Sequence, residues 1–493
     1  MSPTPLTPIL VSLAASVLIL ASGRRPNLRE SWTLLASGAK FLAVLSLLPA
    51  ALAGRPAEAV LLEISPGIRL ALRADAMGVA FALLSSGLWV LTSVYSIGYM
   101  RGLKEHKQTR YFACFAVCLS AAVGIAFAAN LLTFIVFYEI LTIATYPLVI
   151  HKETPEAIRA GRKYLAYTLT AGVVLIAAAA IVYKTAGTLD FAAGGIPGLA
   201  GAGAGTVKAL FVLFLAGVGV KAAVMPLHGW LPTAMIAPTP VSALLHAVAV
   251  VKAGVFAALR VVGFVFGPRL MAEYGLDIVL AAFAGATIIL ASLLAFKQDN
   301  LKRRLAYSTV GHLSYIVLGA ALLAPTAYAG AVLHMAFHAT MKITLFFCAG
   351  AIYVRLHREN ISQLDGVGRV MPWTMGAFAL GAIGLAGLPP LNGFVSKWYL
   401  GLGAAGAGRP AAILLLVGSG LLNAGYFFPI LQRAFFRPAR EKVEGKGDAS
   451  PLLVVPLAAT AVLSLVLGLW PDLGLRFAAL AKAAAAAALG VGP

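Results

Sequence analysis

The sequence predicts an all-α polytopic membrane protein of about fourteen transmembrane helices, the seventh and twelfth of them broken. Three observations carry that expectation. Apolar residues make up 60% of the 493, and Asp, Glu, Lys and Arg only 11%, where an ordinary soluble domain has about 25% charged residues. A soluble chain cannot hide that much apolar surface, even in a large core. The apolar residues are gathered into runs near the roughly 20 residues that a bilayer requires. Finally, the basic residues are concentrated in alternate loops between the runs, as cytoplasmic loops of membrane proteins collect Lys and Arg. Disorder, nucleic-acid binding and a secreted disulfide scaffold are excluded.

The first run, residues 3–21, has no positive charge before it and Arg24 and Arg25 after it. It reads as an uncleaved span with its N-terminus outside, not as a signal peptide. The second, 32–54, carries Lys40, about 12 Å inside its start, from where the long side chain can snorkel to the inner interface. The next four lie at 74–100, 111–130, 131–150 and 162–185, and the fifth holds Glu139, the one acid deep in a span. The seventh, 206–225, follows a glycine-rich outer loop at 194–205 and runs into Pro226, Gly229 and Pro232. The eighth, 240–265, carries His246 and Lys252, and the ninth and tenth, 276–296 and 303–323, include His312. The eleventh, 327–354, holds His334, His338 and Lys342. The twelfth, 371–403, contains Gly387, Pro389, Pro390 and Gly393 ahead of Lys397. The thirteenth and fourteenth lie at 410–435 and 450–470, and the tail 471–493, with its alanine run 483–488, is too weak for a fifteenth.

Charge counting tests the layout. With the N-terminus outside, the inner loops hold 23 of the 38 basic residues, among them Arg101, Lys152, Lys302, Arg433, Arg440, Lys442 and Lys446. The outer side holds 10, including Arg69, Arg73, Arg260 and Arg409. The bias places both termini outside a cell membrane. It also explains the net charge of +20 without an acidic partner.

Five lysines remain within spans: Lys40, Lys221, Lys252, Lys342 and Lys397. Ionisable groups are expensive in lipid, so all but Lys40 should face a protein interior or a hydrated path. Burial lowers a lysine's proton affinity and a nearby carboxylate restores it, so Glu139 with four deep lysines can pass protons. Static charge pairs between helices are the alternative, although one acid cannot neutralise four lysines. His334, His338 and Lys342 fall on one helix face at i, i+4 and i+8, and histidine titrates near neutral pH. Zinc on His334 and His338 is a weaker reading, because no third ligand is evident nearby. His228 reads as either a hinge contact or a relay member. His106, His151 and His357 lie in loops and support no comparable reading.

The prolines of the seventh and twelfth spans remove backbone hydrogen bonds, which at membrane depth is tolerated only inside protein or beside water. Paired broken spans point to a repeat transporter. The spacings differ, with Lys221 ahead of its prolines and Lys397 behind. No phosphate loop, dinucleotide fingerprint, cysteine cluster or carboxylate pair is present. Cys114, Cys118 and Cys348 read as packing residues. The expectation is no cofactor, no metal and no redox or hydrolytic centre of the chain's own. Energy must come from an ion gradient or another subunit.

Several runs together resemble a family signature. They are KAAVMPLHGWLP from Lys221, APTPVSALLH ending at His246, then Lys252-Ala-Gly, HATMKITLF from His338, GLPPLNGFVSK ending at Lys397, and NLLTFIVFYE ending at Glu139. The chain is similar over roughly 70–435 to the antiporter-like subunits of Mrp-type sodium/proton antiporters, respiratory complex I and membrane-bound hydrogenases. Where many members carry Asp and His after the WLP motif, this chain has Thr233 and Met235. The resemblance implies two inverted five-helix repeats. The domains are then 1–110 (helices 1–3), 111–265 (helices 4–8), 276–435 (helices 9–13) and 436–493 (loop, helix 14 and tail). It further implies that Glu139 pairs with Lys221, that Lys252 lies on the central axis and that Lys397 ends the path. The expected function is a proton-translocating subunit, of Mrp-type cation/proton antiporter first, complex I-like or hydrogenase second. Its partners are other membrane subunits, protons, Na+ and the lipid bilayer. An independent small-solute transporter and an inert scaffold are the readings from other classes.

Overall fold

The computed structural model describes residues 4–65, 67–438 and 447–491. The inner-loop residues Arg440, Lys442 and Lys446 lie outside them. Helices occupy all the expected positions: α1 (Thr7–Ala21), α2 (Pro26–Leu52), α3 (Ala76–Gly102), α4 (Gln108–Phe127), α5 (Leu131–Val149), α6 (Pro155–Ala186) and α7 (Ala204–Lys221). They continue with α8 (Thr239–Glu273), α9 (Leu276–Phe296), α10 (Leu301–Ala321) and α11 (Pro325–Leu356). The series closes with α12a (Pro372–Ala386), α12b (Asn392–Gly406), α13 (Pro410–Phe436) and α14 (Pro451–Leu469). Among the described residues, 11 helices are long and apolar enough to cross a membrane. Helix α1 is short, α10 begins with Lys302, Arg303 and Arg304, and α12 is split in two, so the full fourteen do not follow from length and composition.

Proline punctuates the bundle. Pro26, Pro155, Pro325, Pro372, Pro410 and Pro451 each sit in the first turn of a helix, where the missing N–H would have had no partner. The two interior breaks fall where the sequence places them. One separates Lys221 from Trp230 and the other Ala386 from Asn392. Helices α8 and α11 run through the centre, buried along their apolar length. Helix α8 is wound as a π-helix over Leu244–Val248 and Val261–Phe266, a local widening common at functional sites.

Two local elements were not anticipated, a hairpin and a tail helix, and two expectations, for Arg260 and Lys40, are corrected. The outer loop after α2 is a hairpin, β1 (Ala57–Ser65) against β2 (Ile68–Ala74), with Glu58 opposite Arg73 and Glu63 opposite Arg69. The tail contains a helix, α15 (Phe477–Leu489). At 13 residues it is about 20 Å long, too short to cross the bilayer core, but Ala481, Ala484 and Ala488 are buried. Arg260, counted to the outer surface, is buried in α8, where it makes a two-pronged bond to Asp75 at 2.5 and 2.7 Å. Lys40 does not reach an interface. It is fully buried, and its ammonium donates to Ser12 Oγ at 2.9 Å and to the Leu119 carbonyl at 2.6 Å.

Lys40 has no carboxylate partner within ion-pair reach among the described residues, and Ser12 keeps a bond to the Ile9 carbonyl without it. Buried charges are often replaced by apolar groups of similar volume at no loss. Lys40→Met should therefore leave stability unchanged or raise it, which thermal unfolding in detergent checks.

Candidate functional site

Apart from Lys40, the ionisable residues singled out in the spans fall into two groups, one on α5 and α7 and one centred on α8 and α11. In the first, Asn130 caps α5 by accepting from the Thr133 N–H at 2.8 Å. Further along α5, Glu139 is half-buried, and its Oε1 is buried without a hydrogen-bond partner. The carboxylate lies against Gly172 of α6, where any Cβ would overlap Oε1. Lys221 ends α7 and is fully buried. Its ammonium donates to the Tyr138 carbonyl at 2.6 Å and stands 3.3 Å from the centroid of the Tyr138 ring. It is close enough to Glu139 for their charges to interact. Its hydrogen bond nevertheless goes to the preceding residue's carbonyl, so the two are neighbours without a direct ion pair.

Gly172→Ala should leave assembly intact, because the end of a flexible Glu side chain can shift aside. The shift moves the carboxylate from its seat. Proton-coupled transport should fall by roughly tenfold to a hundredfold, measured in vesicles at matched expression.

Beyond Lys221 the chain leaves the helix, and Trp230 Nε1 donates to the Val220 carbonyl at 2.7 Å. Gly254 of α8 lets two backbones meet here, since a Cβ would collide with Ala222 N. His246 lies in the first π-wound stretch, buried beside Phe346 with a ring separation of 4.7 Å, and neither ring nitrogen has a hydrogen-bond partner. On the next turns Lys252 Nζ meets His338 Nδ1 at 2.6 Å.

From His338 the contacts run unbroken to Lys397. The rings of His338 and His312 stack at 5.1 Å. His312 Nδ1 meets His334 Nε2 at 3.2 Å, and His334 Nδ1 meets Ser396 Oγ at 2.8 Å. On its other edge His312 Nε2 lies 3.3 Å from Asn423 Nδ2, which also reaches Tyr315 OH at 3.2 Å and the Leu385 carbonyl at 3.3 Å. Lys397 donates to that same Leu385 carbonyl at 2.9 Å and to the Ala386 carbonyl at 3.0 Å. A branch leaves Asn423 through Tyr426, whose hydroxyl donates to Asn423 Oδ1 and lies 2.9 Å from Ser308 Oγ. Ser308 in turn accepts from Lys342 at 2.8 Å.

The structure thus brings Lys252, His312, His334, His338, Lys342 and Lys397 into one network. Glu139, Lys221 and His246 stand upstream of it without joining it by hydrogen bonds. His228 stays in the first break with its ring 6.2 Å from Tyr307. Five members were not anticipated: Ser308, Tyr315, Ser396, Asn423 and Tyr426. Asn423 carried a usable signal, an amide in the middle of an apolar helix. Lys397 is also the polar wall of a cavity of about 650 Å³ between α12b and α13, lined further by Phe394, Trp398, Leu416 and Phe428.

Comparison with known proteins follows the same lines. Residues 128–422 match the family described as NADH:quinone oxidoreductase/Mrp antiporter, TM. The chain is 34% identical over 438 residues to NADH-quinone oxidoreductase subunit N of Desulforudis audaxviator, covering 87% of this chain and 85% of that one. It is 28% identical over 400 residues to one of the subunits of the Na(+)/H(+) antiporter of Alkalihalophilus pseudofirmus, covering 81% and 80%. In fold it is similar to a chain of the Mrp complex from Dietzia sp. DQ12-45-1b, with a TM-score of 0.87, 22% identity, and 99% and 98% covered.

Proposed function

The chain belongs to the NADH:quinone oxidoreductase/Mrp antiporter transmembrane family, and from that membership we propose that it is a proton-translocating subunit of a multisubunit membrane complex. The observation that carries the reading is the connected run of buried polar groups from Lys252 through His338 and His312 to Asn423, the Leu385 carbonyl and Lys397. Its lysines and histidines can accept or release a proton, Asn423 and the carbonyl hold them in place, and the low-dielectric surroundings make each charge state sensitive to the next.

In this reading Glu139 and Lys221 form the gate. A proton on Glu139 weakens the field that keeps Lys221 charged, and His246, with both nitrogens free of protein partners, relays toward Lys252. Lys342 is a side branch through Ser308 and Tyr426. Lys397 is the outlet, beside the cavity between α12b and α13, where another membrane subunit would stand. Helices α4–α8 and α9–α13 act as two inverted repeats, each with its fourth helix broken. Both termini lie on the outer side of a plasma membrane. The ions moved are protons, with Na+ exchanged by the assembly.

A cation/proton antiporter is supported by the likeness to a subunit of an Na(+)/H(+) antiporter. A redox-driven assembly is the second reading, favoured by the higher identity to a quinone oxidoreductase subunit, 34% against 28%. Purifying the native complex and identifying its subunits separates them, with transport in vesicles driven by a sodium gradient or by an electron donor.

Asn423→Leu tests the path itself. It removes the amide that joins His312, Tyr315 and the Leu385 carbonyl while keeping an apolar helix. Transport should drop by about tenfold or more, the scale for misplacing a proton-transferring group that the amide holds in position. Unchanged transport would favour the scaffold reading, and solute uptake by the chain expressed alone would favour an independent transporter.

A further inference from the structure

We propose that Glu105, His106 and His151 form a site for one divalent transition-metal ion of zinc-like chemistry, where the α3–α4 loop meets the α5–α6 loop. Glu105 and His106 follow the end of α3, and His151 follows the end of α5. One ligand atom from each of the three lies within 4.8 Å of the other two. Glu105 Oε2 is 3.7 Å from His151 Nε2. The His106 and His151 rings stack with centroids 5.0 Å apart. A tetrahedral zinc ion sets its nitrogen and oxygen donors about 3.3 Å apart, so the three need only close up slightly.

A second observation points to a ligand independently of the clustering. His151 is fully buried, yet neither Nδ1 nor Nε2 has a hydrogen-bond partner. A buried imidazole left so is unfavourable, and Nε2 is the atom that faces Glu105. The carboxylates divide the work. Glu153, 3.8 Å from His106, is already held by Lys107 at 2.8 Å and Arg110 at 2.7 Å. Glu105 meets no lysine or arginine within ion-pair distance among the described residues, only His151. The His106 side chain is 44% exposed, which gives an ion a way in and leaves a position for water. A two-nitrogen, one-oxygen set suits zinc better than magnesium or calcium. The bound ion would tie the loop after α3 to the end of α5, the helix that carries Glu139.

The test uses the purified complex without a histidine tag. It is stripped with chelator, loaded with Zn2+ or Co2+ and desalted, and metal is measured by mass spectrometry. One Zn2+ per chain is expected, together with the visible bands of tetrahedral Co2+. His106→Ala alters an exposed ring and should fold normally. It and Glu105→Gln should each weaken Zn2+ affinity by tenfold or more, and His151→Ala should abolish retention. No retained zinc in the unaltered chain, or equal retention in His106→Ala and Glu105→Gln, would overturn the site.

Discussion

Replacing Glu139 by Gln is expected to abolish proton-coupled transport while leaving assembly largely intact. Gln has nearly the same shape, so α5 and α6 can keep their packing at Gly172. What it loses is the proton: an amide neither binds nor releases one at any working pH. Glu139 is the one acid deep in a span, and no other carboxylate among the described residues is placed beside Lys221. Without the negative charge, Lys221 keeps only a carbonyl and an aromatic face for its ammonium, and the neutral amine becomes the favoured form. The fall should be about a hundredfold or more, the scale for removing a proton-transferring side chain. Near wild-type transport in vesicles at normal expression would remove Glu139 from the path.

Lys252→Ala should block the path about as severely. Lys252 is fully buried in α8, and its short contact with His338 Nδ1 links α8 to the histidines. Alanine leaves a gap of several atoms and no group to carry the proton across. Lys252→Arg tests charge against titration. Arginine restores the positive charge but holds its proton at any working pH, so it should rescue poorly. Lys342→Ala, on the side branch, should lower transport less than Lys252→Ala through loss of the contact with Ser308, while Lys40→Met should leave it intact. The contrast is measurable in one set of vesicles. Loss at Lys40 equal to that at Lys252 would mean that every buried lysine is needed for folding, and the assignment of a path would fall.

Much of the fold was legible because hydropathy acts over whole spans. The breaks were legible because proline acts locally, whatever surrounds it. Burial about the helix axis was not. Lys40 and Arg260 were placed by depth along a helix, and depth does not say whether a neighbour covers the face. Ser12 and Leu119 lie far from Lys40 in sequence, and Asp75 lies far from Arg260. The hairpin had a faint signature, acids at 58 and 63 answered by arginines at 73 and 69, which only pairing makes meaningful. In the site, residues with full charge stood out against an apolar background. Ser308, Ser396 and Asn423 did not, although they join the charged groups, because neutral polar residues are common in such helices and most bond their own backbone. The metal-site residues were passed over for a similar reason: Glu105 and His151 sit 46 positions apart.

The amine of Lys397 has a second consequence, a mechanical one. It clasps the last two carbonyls of α12a, at Leu385 and Ala386, from the far side of the break. Those carbonyls are the negative end of that half-helix, and a positive charge there is favourable. Charge-assisted bonds are roughly twice as strong as neutral ones, so a departing proton weakens both clasps together. On the proposed path, the joint between α12a and α12b would slacken as Lys397 empties and stiffen as it refills. Helix α12b shows Trp398 and Leu402 to the outside of the bundle, so a neighbour packed on that flank would feel the change. Stiffness, and not only charge, would then be a signal that leaves the chain.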